Sequence, residues 1–436
     1  MSYFDDPALL DRMLKQCVRC GFCQAHCPIY KRLFTESVAA RGKIRLVKAV
    51  RDGEMAWSRT AVDRLYTCTL CLGCAAGCPT GVMTEEIFLG ARVQAARQRG
   101  LGGLRWLVFR GLLHNPSLFR ALLHAGARTW PLLFRSDPGP GGRPRLPLGI
   151  SMRRVVPRLA PTPFLKSATV NEDRGARGAR VLFFTGCLIN YVYTGVGRAV
   201  LEVLERNGAR VLLPGEQHCC GTPVFTNGDV ITARQMAGYN LQVVEKYRPD
   251  AIVTACATCG SALKKHYPAL CEGGPMEDAA RRWAARTYDI SEYLVKAGYR
   301  PPEGRISMSV TYHDPCHLLR GQGVYEAPRR LLAAIPGMEF REMALADRCC
   351  GGAGSFSLSH YALSLSITEQ KLRSIRETRA AAVATGCGAC RMQIEDASHQ
   401  AGIGTRVMHT LELVAMSYRA EGREDQGYER GSGRGL

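Results

Sequence analysis

The sequence predicts an α/β C-terminal region made of a duplicated cysteine-rich domain, behind a small α-helical N-terminal domain. Three observations point there. Five cysteines of the second half recur at a nearly constant offset, short β-type runs alternate with helical stretches through that half, and two tightly spaced cysteine clusters fill the first 90 residues.

The duplication is read from Cys187, Cys219, Cys220, Cys256 and Cys259 against Cys316, Cys349, Cys350, Cys387 and Cys390. Corresponding positions differ by 129, 130, 130, 131 and 131 residues. So constant an offset indicates two copies of one structural unit, too long for a solenoid repeat. Cys271 falls outside the pattern and reads as structural.

Within the first copy, "RVLFFTG" ends at Cys187, "ARVLLP" precedes Cys219 and Cys220, and "AIVTA" ends at Cys256. Within the second, "SMSVTYHDP" ends at Cys316, "MEFREM" precedes Cys349 and Cys350, and "AAVATG" ends at Cys387. Stretches between them, such as "VGRAVLEVLERNG" and "ARQMAGYNLQVVEKY", have helical apolar spacing. The alternation argues a small parallel sheet with helices on its faces. The cysteines then fall at strand ends, on the edge where open α/β sheets bind ligands, so distant thiolates converge on one site per copy.

The first 90 residues carry "CVRCGFCQAHCP" and "CTLCLGCAAGCP", each reading C-x2-C-x2-C-x3-C-P. This is the bacterial-ferredoxin signature of [4Fe–4S] clusters, in which the fourth cysteine ligates the other cluster of a two-cluster domain. Carried onto this chain, one cluster takes Cys17, Cys20, Cys23 and Cys78, and the other takes Cys68, Cys71, Cys74 and Cys27. Zinc is the rival, but zinc sites pair two C-x2-C knuckles across longer gaps. Two clusters side by side make an electron conduit and not by themselves a catalyst.

Composition narrows the class. The chain has 436 residues, enough for two or three domains, and 19 cysteines. A secreted disulfide scaffold would be shorter and would open on a signal peptide, whereas "MSYFDDPALLDRMLKQ" is acidic and lacks an apolar segment. No run of eighteen uncharged apolar residues is present, so a spanning helix is not expected. The expectation is a reduced, cytoplasmic compartment with metal-bound thiolates. Formal net charge is +20, and residues 91–180 alone hold seventeen Lys/Arg against three Asp/Glu. There, Leu104, Trp106, Leu107, Phe109, Leu112 and Leu113 mix with Arg105, Arg110, Arg120, Arg128 and Arg135. Such a segment either lies on an anionic membrane surface or packs on the protein's own core. No nucleic-acid recognition motif accompanies the charge, so no nucleic acid is expected.

The chain thus divides into a two-cluster domain (1–90), a basic amphipathic segment ending in a Pro/Gly-rich linker (91–180), two cysteine-rich domains (181–300 and 301–417) and a polar, glycine-rich tail read as disordered (418–436).

The unit of Cys, Cys-Cys-Gly and C-x2-C resembles the CCG cysteine-rich domain of heterodisulfide reductases, glycolate and lactate oxidase subunits and anaerobic glycerol-3-phosphate dehydrogenase. In heterodisulfide reductase the full five-cysteine set holds a noncubane [4Fe–4S] cluster. The resemblance therefore implies one or two further clusters, held by Cys187, Cys219, Cys220, Cys256 and Cys259 and by Cys316, Cys349, Cys350, Cys387 and Cys390. Gly221 and Gly351 after the paired cysteines suit a sharp turn and close approach to a cluster. His218, His313 and His317 border these cysteines, and with no motif to pair them they read as neighbours.

With "CVRCGFCQAHCPIY" followed by "ARGKIRLVKAV", the order of parts resembles the glycolate oxidase iron–sulfur subunit over nearly the whole chain. The resemblance implies an electron-transfer subunit that relays electrons from a partner FAD subunit towards membrane quinone, peripheral on the inner membrane face. No catalytic residue is assigned on this chain. It has no flavin fingerprint, since "TGVGRAV" lacks the third glycine, and neither a P-loop nor H-E-x-x-H. The alternative implied by the complete cysteine sets is a heterodisulfide-reductase-like catalytic subunit.

Overall fold

The computed structural model describes residues 2–137, 141–147, 149–168 and 178–422. The N-terminal region is helical, built on Pro7–Lys15, Ala40–Arg51, Arg59–Tyr66 and Thr84–Arg99. The first begins where it does because Asp6 accepts from the Ala8 and Leu9 N–H groups and Pro7 occupies the first turn. Ser58 caps Arg59–Tyr66 through the Ala61 N–H. Thr84–Arg99 is the spine, with Ile87, Phe88, Leu89, Ala91 and Val93 all buried. It runs past residue 90, into the stretch expected to open the basic segment.

The C-terminal half holds two four-stranded parallel sheets. The first contains β4 (Arg180–Phe184), β5 (Arg210–Leu212), β6 (Ala251–Thr254) and β7 (Thr287–Asp289), ordered β5-β4-β6-β7. The second contains β8 (Met308–Tyr312), β9 (Met338–Phe340), β10 (Ala382–Thr385) and β11 (Arg406–His409), ordered β9-β8-β10-β11. All pairings within both sheets are parallel, and the two strand orders correspond. β4 and β6 read apolar at nearly every position, as strands buried on both faces must. β7 and β11 are strands of three and four residues that the sequence did not signal; each ends on the residue that caps the next helix, Asp289 or His409.

The two units share one core. Helix Thr194–Arg206 packs on helix Thr410–Ala420, burying Val200, Val203 and Leu204 with Leu411, Val414 and Ala415. That last helix continues to Ala420, into the stretch expected as tail, and residues 423–436 lie outside the described residues.

The basic segment forms helix Gly103–Trp106, a π-type turn Leu107–Leu113 and helix Pro116–Leu133. It lies on the first unit, where Arg110 pairs with buried Asp229 at 3.1 Å and Phe119 meets Tyr191 and His218 edge-on. Its outer face keeps Leu104, Trp106, Leu107, Leu118, Leu122 and Leu132 exposed. The expected linker instead folds back as a small antiparallel sheet of β1 (Phe134–Ser136), β2 (Gly141–Pro144) and β3 (Val156–Pro157). It is pinned to the second unit through Arg154, which donates to Ser357, and the Val155 N–H, which donates to Asp396.

Candidate metal centres

The two N-terminal cysteine loops adopt matching backbones. Arg19 and Leu70 have φ of 59° and 48°, and two residues on, Gly21 and Leu72 have 89° and 61°. Non-glycine residues hold left-handed conformations only where their surroundings over-determine them. Each loop thereby wraps a cavity. One, of about 430 Å³ and partly open to solvent, is lined by Cys27, Cys68, Cys71 and Cys74. Another, of about 360 Å³, is lined by Cys17, Cys20, Cys23 and Cys78, with Cys74 between the two. Each cavity thus takes three cysteines from one motif and the fourth from the other. Backbone N–H groups already point at the crossing thiols: Tyr30 donates to Cys27 Sγ and Val82 to Cys78 Sγ, both at 3.4 Å.

Burial pushes the Cys27 thiol up to about 11 and Cys74 higher still. Around them sit buried cations. Lys43 donates only to the Val38 carbonyl, and Arg92 donates to the Leu65, Cys68 and Thr226 carbonyls. Among the described residues neither forms an ion pair, and both face the cysteines electrostatically. Buried unpaired cations are costly, and an anionic cluster in these cavities would compensate them. The donor set, the cavities and the charge therefore fit iron–sulfur clusters.

In the α/β units every expected cysteine falls on the C-terminal edge of its sheet. Cys187 and Cys316 lie in the helices after β4 and β8, and Cys256 and Cys387 cap the helices after β6 and β10. The paired cysteines occupy the loops after β5 and β9. Their glycines have left-handed φ, 80° at Gly221 and 86° at Gly351, as the sharp turn requires. The close approach at Gly351 is to protein rather than to a thiol, since a Cβ there would meet the Ser364 carbonyl at 2.5 Å. The glycine against a sulfur is Gly186, where a Cβ would lie 2.7 Å from Cys259 Sγ.

The thiols of the two units form one unbroken series. Cys219 interacts with Cys187 and Cys220, Cys220 with Cys259, and Cys259 with Cys256. Cys256 then meets Cys387 of the other unit, Cys387 meets Cys390, and Cys390 meets Cys350. Cys350 interacts with Cys349, which packs with Cys316 and with Cys71 of the N-terminal region. The sequence signalled neither the Cys256–Cys387 contact nor that of Cys71 with Cys316 and Cys349. Thiols so buried and crowded resist ionising side by side unless a metal takes their charge. Cys271 lies outside the series, its thiol pushed up to about 11 by burial alone save for an opposing Arg234.

The three histidines divide. His218 donates from Nε2 to the Leu113 carbonyl at 2.7 Å, and His317 contacts Thr258 and the Leu70 carbonyl. Both are neighbours, as expected. His313 is fully buried, neither ring nitrogen completes a hydrogen bond although the Ala346 carbonyl faces the ring, and it converges with Cys350 and Cys390 so that the three donor atoms lie within 4.8 Å of one another.

A second basic cluster flanks the Cys71–Cys349 contact. Lys31, Arg32, Arg320, Arg348 and Lys371 line a cavity of about 450 Å³ that opens to solvent. The N-terminal region is held on the first unit by Glu85 and Glu86, which pair with Lys265 at 2.6 and 2.8 Å. Burial opposes ionisation of Glu85, yet His266 and Lys265 hold its carboxyl well below the usual range.

Comparison with known proteins places these features. A 4Fe-4S dicluster domain model matches residues 13–82, and a cysteine-rich CCG domain model matches residues 181–264 and 310–395. The chain is 31% identical to a fumarate reductase (CoM/CoB) chain of Methanothermobacter marburgensis, covering 93% of this chain and 73% of that one. It is 28% identical to the probable glycolate oxidase iron-sulfur subunit of Bacillus subtilis, over 92% and 93% of the two chains. To one component of the dihydromethanophenazine:CoB–CoM heterodisulfide reductase of Methanosarcina barkeri it is 26% identical, over 92% and 93%. Among solved structures, a hypothetical protein from Helicobacter pylori shares the fold with a TM-score of 0.51 at 8% identity, covering 88% of this chain and 68% of that one. No described helix is long and apolar enough to cross a membrane. With a dicluster domain followed by two CCG domains, and relatives alike over almost its full length, the chain belongs to the glycolate oxidase iron–sulfur subunit family.

Proposed function

We propose that this chain is the electron-transfer subunit of a 2-hydroxy-acid oxidase complex, relaying electrons from a partner FAD subunit towards membrane quinone. The observation that carries the reading is the continuous thiol series from Cys187 to Cys71. Four sites in near contact suit one-electron relay and leave no step for hydride chemistry. The proposed ligands are Cys17, Cys20, Cys23 and Cys78 for one [4Fe–4S] cluster, and Cys68, Cys71, Cys74 and Cys27 for a second. The two five-cysteine sets hold further iron–sulfur sites. When bound, the clusters supply reversible one-electron redox capacity. The chain's own residues set its conditions, with Lys43 and Arg92 offsetting charge and the Tyr30 and Val82 N–H groups donating to sulfur.

The exposed apolar face between Leu104 and Leu132, with Arg110, Arg120 and Arg128 exposed beside it, suits peripheral attachment to an anionic bilayer. Anaerobic purification with iron and sulfide counting, an EPR redox titration and identification of co-purifying proteins test the reading together. The expected result is iron beyond two [4Fe–4S] clusters and a flavoprotein partner. An isolated chain that oxidises glycolate or lactate without a flavoprotein overturns it.

One observation favours a second reading. The basic cavity opens beside Cys71 and Cys349, where a small anionic disulfide would meet the sites directly. A chain of this kind would reduce a low-molecular-weight disulfide with a reduced dye as donor and no flavoprotein present.

A further inference from the structure

The two five-cysteine sets match in their thiols but not in their surroundings. By the 129-residue offset that relates Cys187 to Cys316, the residue matching His313 in the first unit is Phe184. One set therefore has a phenyl ring where the other has an imidazole.

His313 follows β8 directly, and its backbone is fixed by its N–H donating to the Ala384 carbonyl at 2.9 Å. Its side chain has no exposed surface. A neutral imidazole carries one N–H donor and one lone pair, and buried ones are normally both engaged. Other buried histidines of this chain obey that rule. His409 gives Nε2–H to the Ala255 carbonyl at 3.0 Å and accepts at Nδ1 from the Leu411 N–H at 3.2 Å, while His266 meets the Tyr3 hydroxyl at Nδ1 at 2.7 Å and the Glu85 carboxylate at Nε2 at 3.6 Å. His313 breaks it: neither ring nitrogen completes a hydrogen bond, although the Ala346 carbonyl faces the ring. The atoms it converges with are the sulfurs of Cys350 and Cys390, and this is the one such group of metal donors among the described residues.

We propose that His313 is an iron ligand of the second site, bound together with Cys350 and Cys390, so that this site is a mixed sulfur–nitrogen centre while the first is sulfur only. The inference rests on the reading that the second cysteine set holds iron. Its consequence is an ordered pair. Taking the iron position that one of the five thiolates holds in the first unit, the neutral imidazole leaves less negative charge on the iron and raises the reduction potential, as histidine ligation does in Rieske centres. The second site, the one against Cys71, is then the more oxidising of the two, and electrons run downhill from the first unit to the second.

The test uses the full chain, purified anaerobically and grown with 15N-histidine. Pulsed EPR of the second site is expected to show a nitrogen coupling of the size found for directly bound imidazole, altered by the isotope. His313→Phe and His313→Gln should abolish it, and His26→Gln, His218→Gln and His317→Gln should each retain it. Retention in these three, and in His409→Gln, whose ring faces Cys387, excludes those neighbours of the cysteines as the source even where a His313 variant does not fold. A weak coupling typical of an N–H···S contact, or none, with iron present at the second set, overturns His313 as a ligand and leaves the relay standing. Absence of iron at the second set overturns both. Redox titration gives an independent arm: the second site should titrate above the first, and an equal or lower potential counts against the proposal.

Discussion

Cys256 and Cys387 meet side chain to side chain at the boundary between the two sheets. Each caps a helix with φ of −147°, and backbone holds them together: the Ala257 N–H donates to the Gly386 carbonyl at 3.1 Å. The two units thus meet at their redox edges as well as through the packed helices Thr194–Arg206 and Thr410–Ala420.

This contact makes the sites interdependent. Cys387→Ser is expected to disturb the EPR signal of the first unit as well as its own, and Cys256→Ser the reverse. Residues in contact give non-additive effects, so the double variant should differ from the sum of the singles. Signals that change only within the mutated unit would contradict the proposed relay.

Cys71 gives the corresponding prediction for the N-terminal region. It packs with Cys316 and Cys349, whereas Cys20 is exposed on the far cluster. Cys71→Ser should remove one [4Fe–4S] signal and also shift the second unit's signal. Cys20→Ser should affect only the N-terminal signals. Identical consequences from both variants would refute a junction at Cys71.

Arg92 joins regions distant in sequence, donating to the Thr226 carbonyl at 2.8 Å and to the Cys68 carbonyl at 3.2 Å. Arg92→Met keeps the apolar stem but orphans these carbonyls. It should cost about 2–4 kcal/mol in anaerobic urea unfolding, from lost charge-assisted hydrogen bonds and unsatisfied acceptors. A change below about 0.5 kcal/mol, the range of ordinary surface substitutions, would show that the clamp is dispensable.

The parallel sheets were legible because their signals are local. Each run ahead of a cysteine, from "RVLFF" to "AVAT", is a strand, and the offset of the cysteines announced a second copy. β7 and β11 escaped because runs of only three and four residues, Thr287–Asp289 and Arg406–His409, are too short to show a period. The hairpin of β1 and β2 escaped because Pro and Gly read as linker, although a Cβ at Gly142 would meet the Arg135 carbonyl at 2.5 Å. The junctions at Cys71 and at Cys256 with Cys387 are tertiary, and cysteine spacing holds no information about which motif faces which. His313 had a sequence signal, a histidine opposite a phenylalanine across the repeat, but its lack of partners is visible only once the core is packed.

Acid should loosen the boundary between the units through His409. Burial, above all, pushes its imidazole down to about 4, and the neutral ring donates to Ala255 and accepts from Leu411. A folded-state value below the unfolded value of about 6.5 means the unfolded chain binds more protons between the two. Stability from the neutral ring is therefore complete above about pH 6.5 and lost as pH falls towards about 4, about 3 kcal/mol in all. Roughly 1 kcal/mol should disappear between about pH 7.5 and about pH 5.5, and His409→Gln should flatten that part of the profile. An unchanged slope in the variant would place the acid sensitivity elsewhere.

Membrane attachment rests on the exposed face of the basic segment, and its two contributions can be separated. Leu104 and Leu132 are each 73% exposed, and Trp106 and Leu107 are more than half exposed. Burying such side chains in the interface contributes about 1.5–3 kcal/mol each at full burial, and each basic residue near an anionic surface about 1 kcal/mol. Leu104→Ser with Leu107→Ser should weaken binding to phosphatidylserine vesicles at least about tenfold, the equivalent of about 1.4 kcal/mol. Arg120→Gln with Arg128→Gln should weaken it too, with an effect that fades as added salt shortens the screening length. Both pairs lie on the outer face, so cluster content should be unchanged. Equal binding by wild type and both pairs, or equal binding to neutral and anionic vesicles, would assign this face to a protein partner instead.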